Sequence, residues 1–204
     1  MSKWNTSCAI DDHKMSGDQI RAEIRARLPR LLRKSIGVRV IDELEICSGK
    51  ARADMAIISD LLIGVEIKGP KDRLDRLPKQ IEHYSKCFDQ VILVVDESLS
   101  VDAASLIPQW WGIVQVSIRD GNNNFKLVRR PLQNQFVDVE MILALLWRPE
   151  IEVLFSQETG SPPPSRASKR RLREILLDNQ SHIELKSAGI EILRNREEWR
   201  STLL

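Results

Sequence analysis

The chain has 204 residues, 42% of them hydrophobic and 29% charged, with 31 lysines and arginines against 29 aspartates and glutamates. That length and balance describe a folded domain with its own core and exclude a disordered or low-complexity chain. A net charge of +2 neither requires nor forbids a polyanionic partner. No run approaches the roughly 18 apolar residues of a membrane helix, and the N-terminus lacks a signal-peptide core. The three cysteines are scattered without a paired motif, so a reducing cytoplasm is the expected setting.

Residues 1–17 are polar and aperiodic and read as a flexible lead-in. From Asp18, "DQIRAEIRARLPRLL" places Ile20, Ile24, Leu28, Leu31 and Leu32 at helical spacing, with Pro29 favouring a bend or an early end. "VRVIDELEI", "RADMAII" and "LLIGVEIK" then alternate with period two and are separated by the short turns "CSGK" and "SD", which predicts a three-stranded antiparallel meander over 38–68. "DRLDRLPKQIEHYSKCF" repeats Leu74, Leu77, Ile81, Tyr84 and Phe88 at helical spacing, with Asp72 as the expected N-cap and Pro78 as a kink or the start of the regular part. "VILVV" at 91–95 has the continuous apolar run of a buried, parallel-type strand.

Downstream, "WWGIVQVSI" and "FKLVR" around "RDGNNN" predict a hairpin, and "VDVEMILALLWRPEIEVLF" one largely buried helix. "TGSPPPS" reads as a linker, followed by two short amphipathic helices carrying Lys169, Arg170, Arg171 and Arg173. The domain reading is a lead-in over 1–17, a main domain over 18–158, a Pro-rich linker over 159–166 and a basic helical appendage over 167–204. The appendage is expected to pack less firmly than the core. It has three open roles: DNA contact, a solvated lid, or an oligomer arm.

Charged residues inside the meander need a reason. On a strand, Glu66 and Lys68 share one face while Val65 and Ile67 share the other, and Arg52 and Asp54 share a face opposite Ala53, Met55 and Ile57. The turn at Ser59 and Asp60 brings the two strands side by side, so Asp54 and Glu66 converge. Two carboxylates that repel each other are relieved by a hard divalent cation, which takes one or two of them and fills its shell with water and phosphate oxygens. The bland alternatives are a solvated Arg52/Asp54 pair and an exposed Glu66/Lys68 ion pair worth under about 1 kcal/mol.

Asp54, Glu66, Ile67 and Lys68, with the element order around them, resemble the central motif of the PD-(D/E)xK nuclease superfamily; Ala53 replaces that family's proline. "QIEHY" adds Gln80 and Tyr84 one helical turn apart, matching the Q-x-x-x-Y motif of the RecB-like branch. The fuller pattern is similar to a bacterial group within it. The resemblance implies an α/β restriction-endonuclease-like core over about 18–96 and Mg²⁺- or Mn²⁺-dependent hydrolysis of DNA phosphodiester bonds in repair, defence or mobile-element processing. Asp54 and Glu66 would hold the metal and Lys68 would serve the nucleophile. Gln80, Tyr84, Arg73 and Arg76 would lie at the nucleic acid. Glu23 is the matching candidate for a further acid, with Glu43 and Glu45 as rivals. The competing reading is a catalytically silent nucleic-acid-binding or adaptor protein on the same fold. Trp110 and Trp111 are read as packing residues rather than base-stacking ones. Oligomeric state is open, a homodimer included, and no membrane partner is expected.

Overall fold

The computed structural model describes residues 17–31, 37–119 and 122–199; most of the expected lead-in lies outside them. The chain folds into a mixed α/β structure: one six-stranded sheet in the order β1-β2-β3-β4-β5-β6, and seven α-helices among the described residues. The elements are α1 (Gly17–Leu31), β1 (Arg39–Ile46), β2 (Ala51–Ile58), β3 (Leu62–Lys68), α2 (Leu77–Cys87), β4 (Gln90–Asp96), α3 (Ser100–Leu106), β5 (Gly112–Arg119), β6 (Asn122–Arg129), α4 (Val139–Ala144), α5 (Arg148–Thr159), α6 (Lys169–Asn179) and α7 (His182–Asn195).

The three alternating segments form the antiparallel β1-β2-β3 meander. The apolar run becomes β4, parallel to both β3 and β5, and the last two segments pair as an antiparallel hairpin. β4 is central, and Val91 to Val95 are buried, as a strand covered on both faces requires. On one face Ile24 and Leu28 of α1 pack against Met55, Ile57, Val65, Ile92 and Val94. The other face carries α2 to α7 over a core that includes Tyr84, Phe88, Trp111, Ile142 and Leu154. Gly64 is what lets α2 close on β3, because a Cβ there would come within 2.5 Å of the Phe88 ring.

Several expectations are corrected. α1 continues two residues past Pro29 to Leu31. α2 begins at Leu77 rather than at residue 72, with Arg76 rather than Asp72 at the N-cap, and of the two readings of Pro78 the start of the regular helix is the one seen. Asp72 instead accepts the backbone N–H of Gly69 at 2.7 Å and closes the turn leaving β3. The single helix expected over 137–155 is two, because Pro149 cannot continue a helical ladder and starts a new one.

The C-terminal helices are not a loose appendage. Leu172, Leu176, Leu185, Ile190 and Leu193 are buried in the same core as the sheet. Lys169 donates to the Ala144 carbonyl at 2.9 Å, and Arg148 to that of Ala167 at 2.7 Å, across the Pro-rich loop. At the start of α2–β4, buried Asp89 accepts the Leu62 N–H at 2.9 Å and pairs with Lys186 of α7. The apolar stripes of two short helices cannot stay wet, and α4 and α5 receive them. Trp111 is fully buried and meets Tyr84 with ring centroids 5.5 Å apart, in keeping with a packing role.

Candidate active site

The β2–β3 ladder runs only from Ile58↔Leu62 to Met55↔Val65. The next residue on each strand is Asp54 and Glu66. Beyond that point β2 stays with β1 as far as Ile46↔Ala51, whereas β3 stays with β4 as far as Lys68↔Val95. The sheet therefore forks, and a cleft of about 550 Å³ opens there, lined by Asp54, Glu66, Lys68, Gln80, Arg21 and Glu43 among others. Asp54 bridges the fork, its Oδ2 accepting the Ile67 N–H at 2.8 Å in place of the ladder bond that the parting strands give up.

Strict alternation fails at the fork. Met55 and Ile57 belong to the core under α1, yet Ala53 lies with Ala56 and Ile58 on the opposite side. β1 makes the same switch, with Val40 packed on the α1 side and Leu44 and Ile46 on the other. Its cause is Glu43, whose φ of 56° is left-handed. The register Asp42↔Met55 and Leu44↔Ala53 sets Glu43 opposite Asp54.

Glu66 is 2% exposed and Lys68 4%. Lys68 Nζ and Gln80 Nε2 both donate to Glu66 Oε1 at 2.6 Å, and the Tyr84 hydroxyl donates to Oε2 at 2.6 Å. The exposed ion pair considered for Glu66 and Lys68 is thus a buried one, for which loss of either partner is costly. The Gln80–Tyr84 spacing of one helical turn is what lets both side chains reach the same carboxylate. Tyr84 is fully buried, so it does not face a nucleic acid directly; it holds Glu66. Burial, and then the Glu66 charge, raise the phenol well above its usual range.

Asp54 is less enclosed. Burial first and Glu66 second push its pKa up to about 6, against the Ile67 N–H, Arg21 and Lys68, which lower it. Arg21 Nη2 lies 3.3 Å from Asp54 Oδ1, and the same guanidinium pairs with Glu43, which also holds Arg52 at 2.8 Å.

Glu23 is not brought to the cleft. It accepts from Asn123 of β6 at 3.3 Å and pairs with Arg27 at 3.5 Å. Glu45 is exposed and lines a neighbouring cavity, and of the three rival acids Glu43 alone lines this cleft. Arg76 is at the rim, while Arg73 points to solvent beside Asp75. Arg21 and His83 line the cleft and were not singled out from the sequence. The signal for Arg21 was its position three residues before Ile24 and seven before Leu28, on the buried stripe of α1.

Among the described residues no group of three or more His, Cys, Asp or Glu side chains is gathered to hold a metal ion. What the cleft offers is oxygen: two carboxylates at the fork and Gln80 Oε1, a buried acceptor with no hydrogen-bond partner among the described residues. A hard cation that keeps several waters and takes phosphate oxygens fits such a set. Lys50, Arg76 and Lys79 stand exposed at the mouth and form no ion pair among the described residues.

An α/β chain with two acids and a lysine at the parting of its sheet belongs to the proteins built around a polar, charge-bearing cleft rather than an apolar ligand pocket. The chain belongs to the family described as bacteriophage P4 protein cII, which it matches over residues 15–204. Protein cII of Enterobacteria phage P4 is similar at 24% identity over 157 residues, which cover 77% of this chain and 59% of that protein. The chain thus spans about three fifths of that relative's length. No solved structure matches it. Among the described residues no helix is long and apolar enough to cross a membrane.

Proposed function

We propose that this protein is a metal-dependent nuclease that hydrolyses phosphodiester bonds in DNA, on a restriction-endonuclease-like core of the PD-(D/E)xK type. The observation that carries the reading is the meeting of Asp54, Glu66 and Lys68 at the fork, with Gln80 and Tyr84 both fastened to Glu66. Asp54 and Glu66 would hold Mg²⁺ or Mn²⁺. Such an ion supplies a water of lowered pKa and neutralises charge on the phosphoryl group. Lys68, fixed by Glu66, presents its ammonium to the attacking oxygen and the phosphate. Lys50, Arg76 and Lys79 draw the backbone to the cleft mouth. Kinship with a phage protein favours mobile-element processing among the possible settings.

The test is incubation of the purified protein with linear, circular and single-stranded DNA in Mg²⁺, Mn²⁺ or EDTA, beside Asp54→Asn. Divalent-dependent cleavage by the wild type that the variant lacks is the expected result. Absence of cleavage with every metal and substrate sinks the proposal.

A second reading, a catalytically silent nucleic-acid binder or adaptor, is favoured by one observation: Arg21 already neutralises Asp54, and Glu66 is supplied with three protein donors. It predicts salt-dependent DNA binding, weakened by neutralising Lys50, Arg76 and Lys79, without cleavage.

A further inference from the structure

We propose that Arg21 is a resident counter-cation at the fork, and that a divalent ion and the Arg21 guanidinium compete for Asp54. This inference rests on the nuclease reading in assigning a metal to Asp54. Register sets Glu43 opposite Asp54 on the adjacent strand, and like charges directly opposite each other on a sheet are destabilising. Arg21 resolves that conflict. Its planar fork reaches Asp54 Oδ1 with one nitrogen and Glu43 with the other. Oδ2 of Asp54 accepts the Ile67 N–H, and Oδ1 faces the guanidinium, so an ion that takes Oδ1 meets Arg21.

The left-handed backbone of Glu43 belongs to the same device. A non-glycine residue held at φ 56° stores strain that the surroundings must offset. Here it turns the Glu43 side chain toward Arg21 and Arg52 while Leu44 and Ile46 switch to the opposite core. Glu43 is therefore the resting place of Arg21 once Asp54 is taken. Arg21 keeps about a third of its side chain exposed, enough to move, while Ile24 and Leu28 one and two turns on anchor the helix. A divalent ion and the guanidinium at contact distance around Oδ1 oppose each other even in a watery medium, by roughly a tenfold change in affinity.

The experiment measures Mn²⁺ binding by electron paramagnetic resonance, and melting temperature with and without Mn²⁺, for the full chain and for Arg21→Gln, with Asp54→Asn as the control. Arg21→Gln is expected to bind Mn²⁺ roughly tenfold more tightly, to melt lower without metal, and to gain more from its addition than wild type gains. In wild-type protein, nitrogen-15 NMR of the arginine side chains should show the Arg21 signals changing as Mg²⁺ is added, which keeps the test open where the variant does not fold. Equal or weaker Mn²⁺ binding by Arg21→Gln, or Arg21 signals that stay fixed while metal saturates, overturns the proposal and leaves the metal site standing. No binding by either protein removes both readings. Competition without DNA cleavage keeps the counter-cation and removes the nuclease.

Discussion

The phenol of Tyr84 reaches across from α2 to donate a 2.6 Å hydrogen bond to Glu66 on β3, and does so from a fully buried position. Its ring is held between Phe88 and Trp111, at 5.1 and 5.5 Å. Tyr84→Phe keeps that packing and removes only the donor, leaving Glu66 Oε2 buried and unsatisfied. A loss of about 1–3 kcal/mol in urea unfolding is expected. A variant as stable as wild type shows that Glu66 finds another donor.

Lys68 and Glu66 form a pair with side chains 4% and 3% exposed. Burial makes Lys68→Ala costly, because the substitution strands the Glu66 charge. Lys68→Ala should lose roughly 3–5 kcal/mol, and Glu66→Gln with Lys68→Met, which removes both charges and keeps an acceptor for Tyr84, should recover part of it. Chemical denaturation of the single and double variants decides. Asp54→Asn is for that reason the cleaner probe of activity.

The raised pKa of Asp54, about 6, makes stability depend on pH. Between about pH 4 and 6 the folded chain keeps a proton that the unfolded chain has released, so stability falls as pH rises through that window. The full shift amounts to at most about 3 kcal/mol. Asp54→Asn cannot ionise and should lack the decline, melting several degrees above wild type near pH 7.5 and level with it near pH 4. Parallel melting curves for the two proteins across pH would contradict this.

Arg173 is 9% exposed and lies 3.7 Å from Glu140, while the exposed Arg170 and Arg171 share the half-buried Glu174. Arg173→Ala should destabilise by about 1–3 kcal/mol, whereas Arg170→Ala and Arg171→Ala should stay within about 0.5 kcal/mol. Thermal melts separate the two outcomes. Neutralising Arg170 and Arg171 should flatten the salt dependence of DNA binding only if α6 touches the backbone; an unchanged slope assigns these two residues to the surface alone.

Most of the sheet was legible because period-two alternation, short turns and one continuous apolar run each have a single cheap solution. Asp54, Glu66, Lys68, Gln80 and Tyr84 were picked out as a set through their resemblance to a known motif. Other features were not, for reasons that lie outside local pattern. α3, seven residues without an apolar stripe, left no periodic trace. Arg21 meets Glu43 and Asp54 only through tertiary docking of α1. The switch of faces at Glu43 breaks the alternation by which strands are read. The C-terminal helices look detachable behind three prolines, and only the docking on α4 and α5 shows where their leucines go.

Asp89 takes its charge partner, Lys186, from 97 residues further along the chain. During synthesis the sheet strands emerge first, and at about 5–20 residues per second the lysine follows roughly 5–20 s behind. Before that, the Leu62 N–H and Gln133 are the partners available to the Asp89 carboxylate, and its ion pair among the described residues waits for α7. A helix made late in translation thus supplies the countercharge for a buried acid at the start of a central strand.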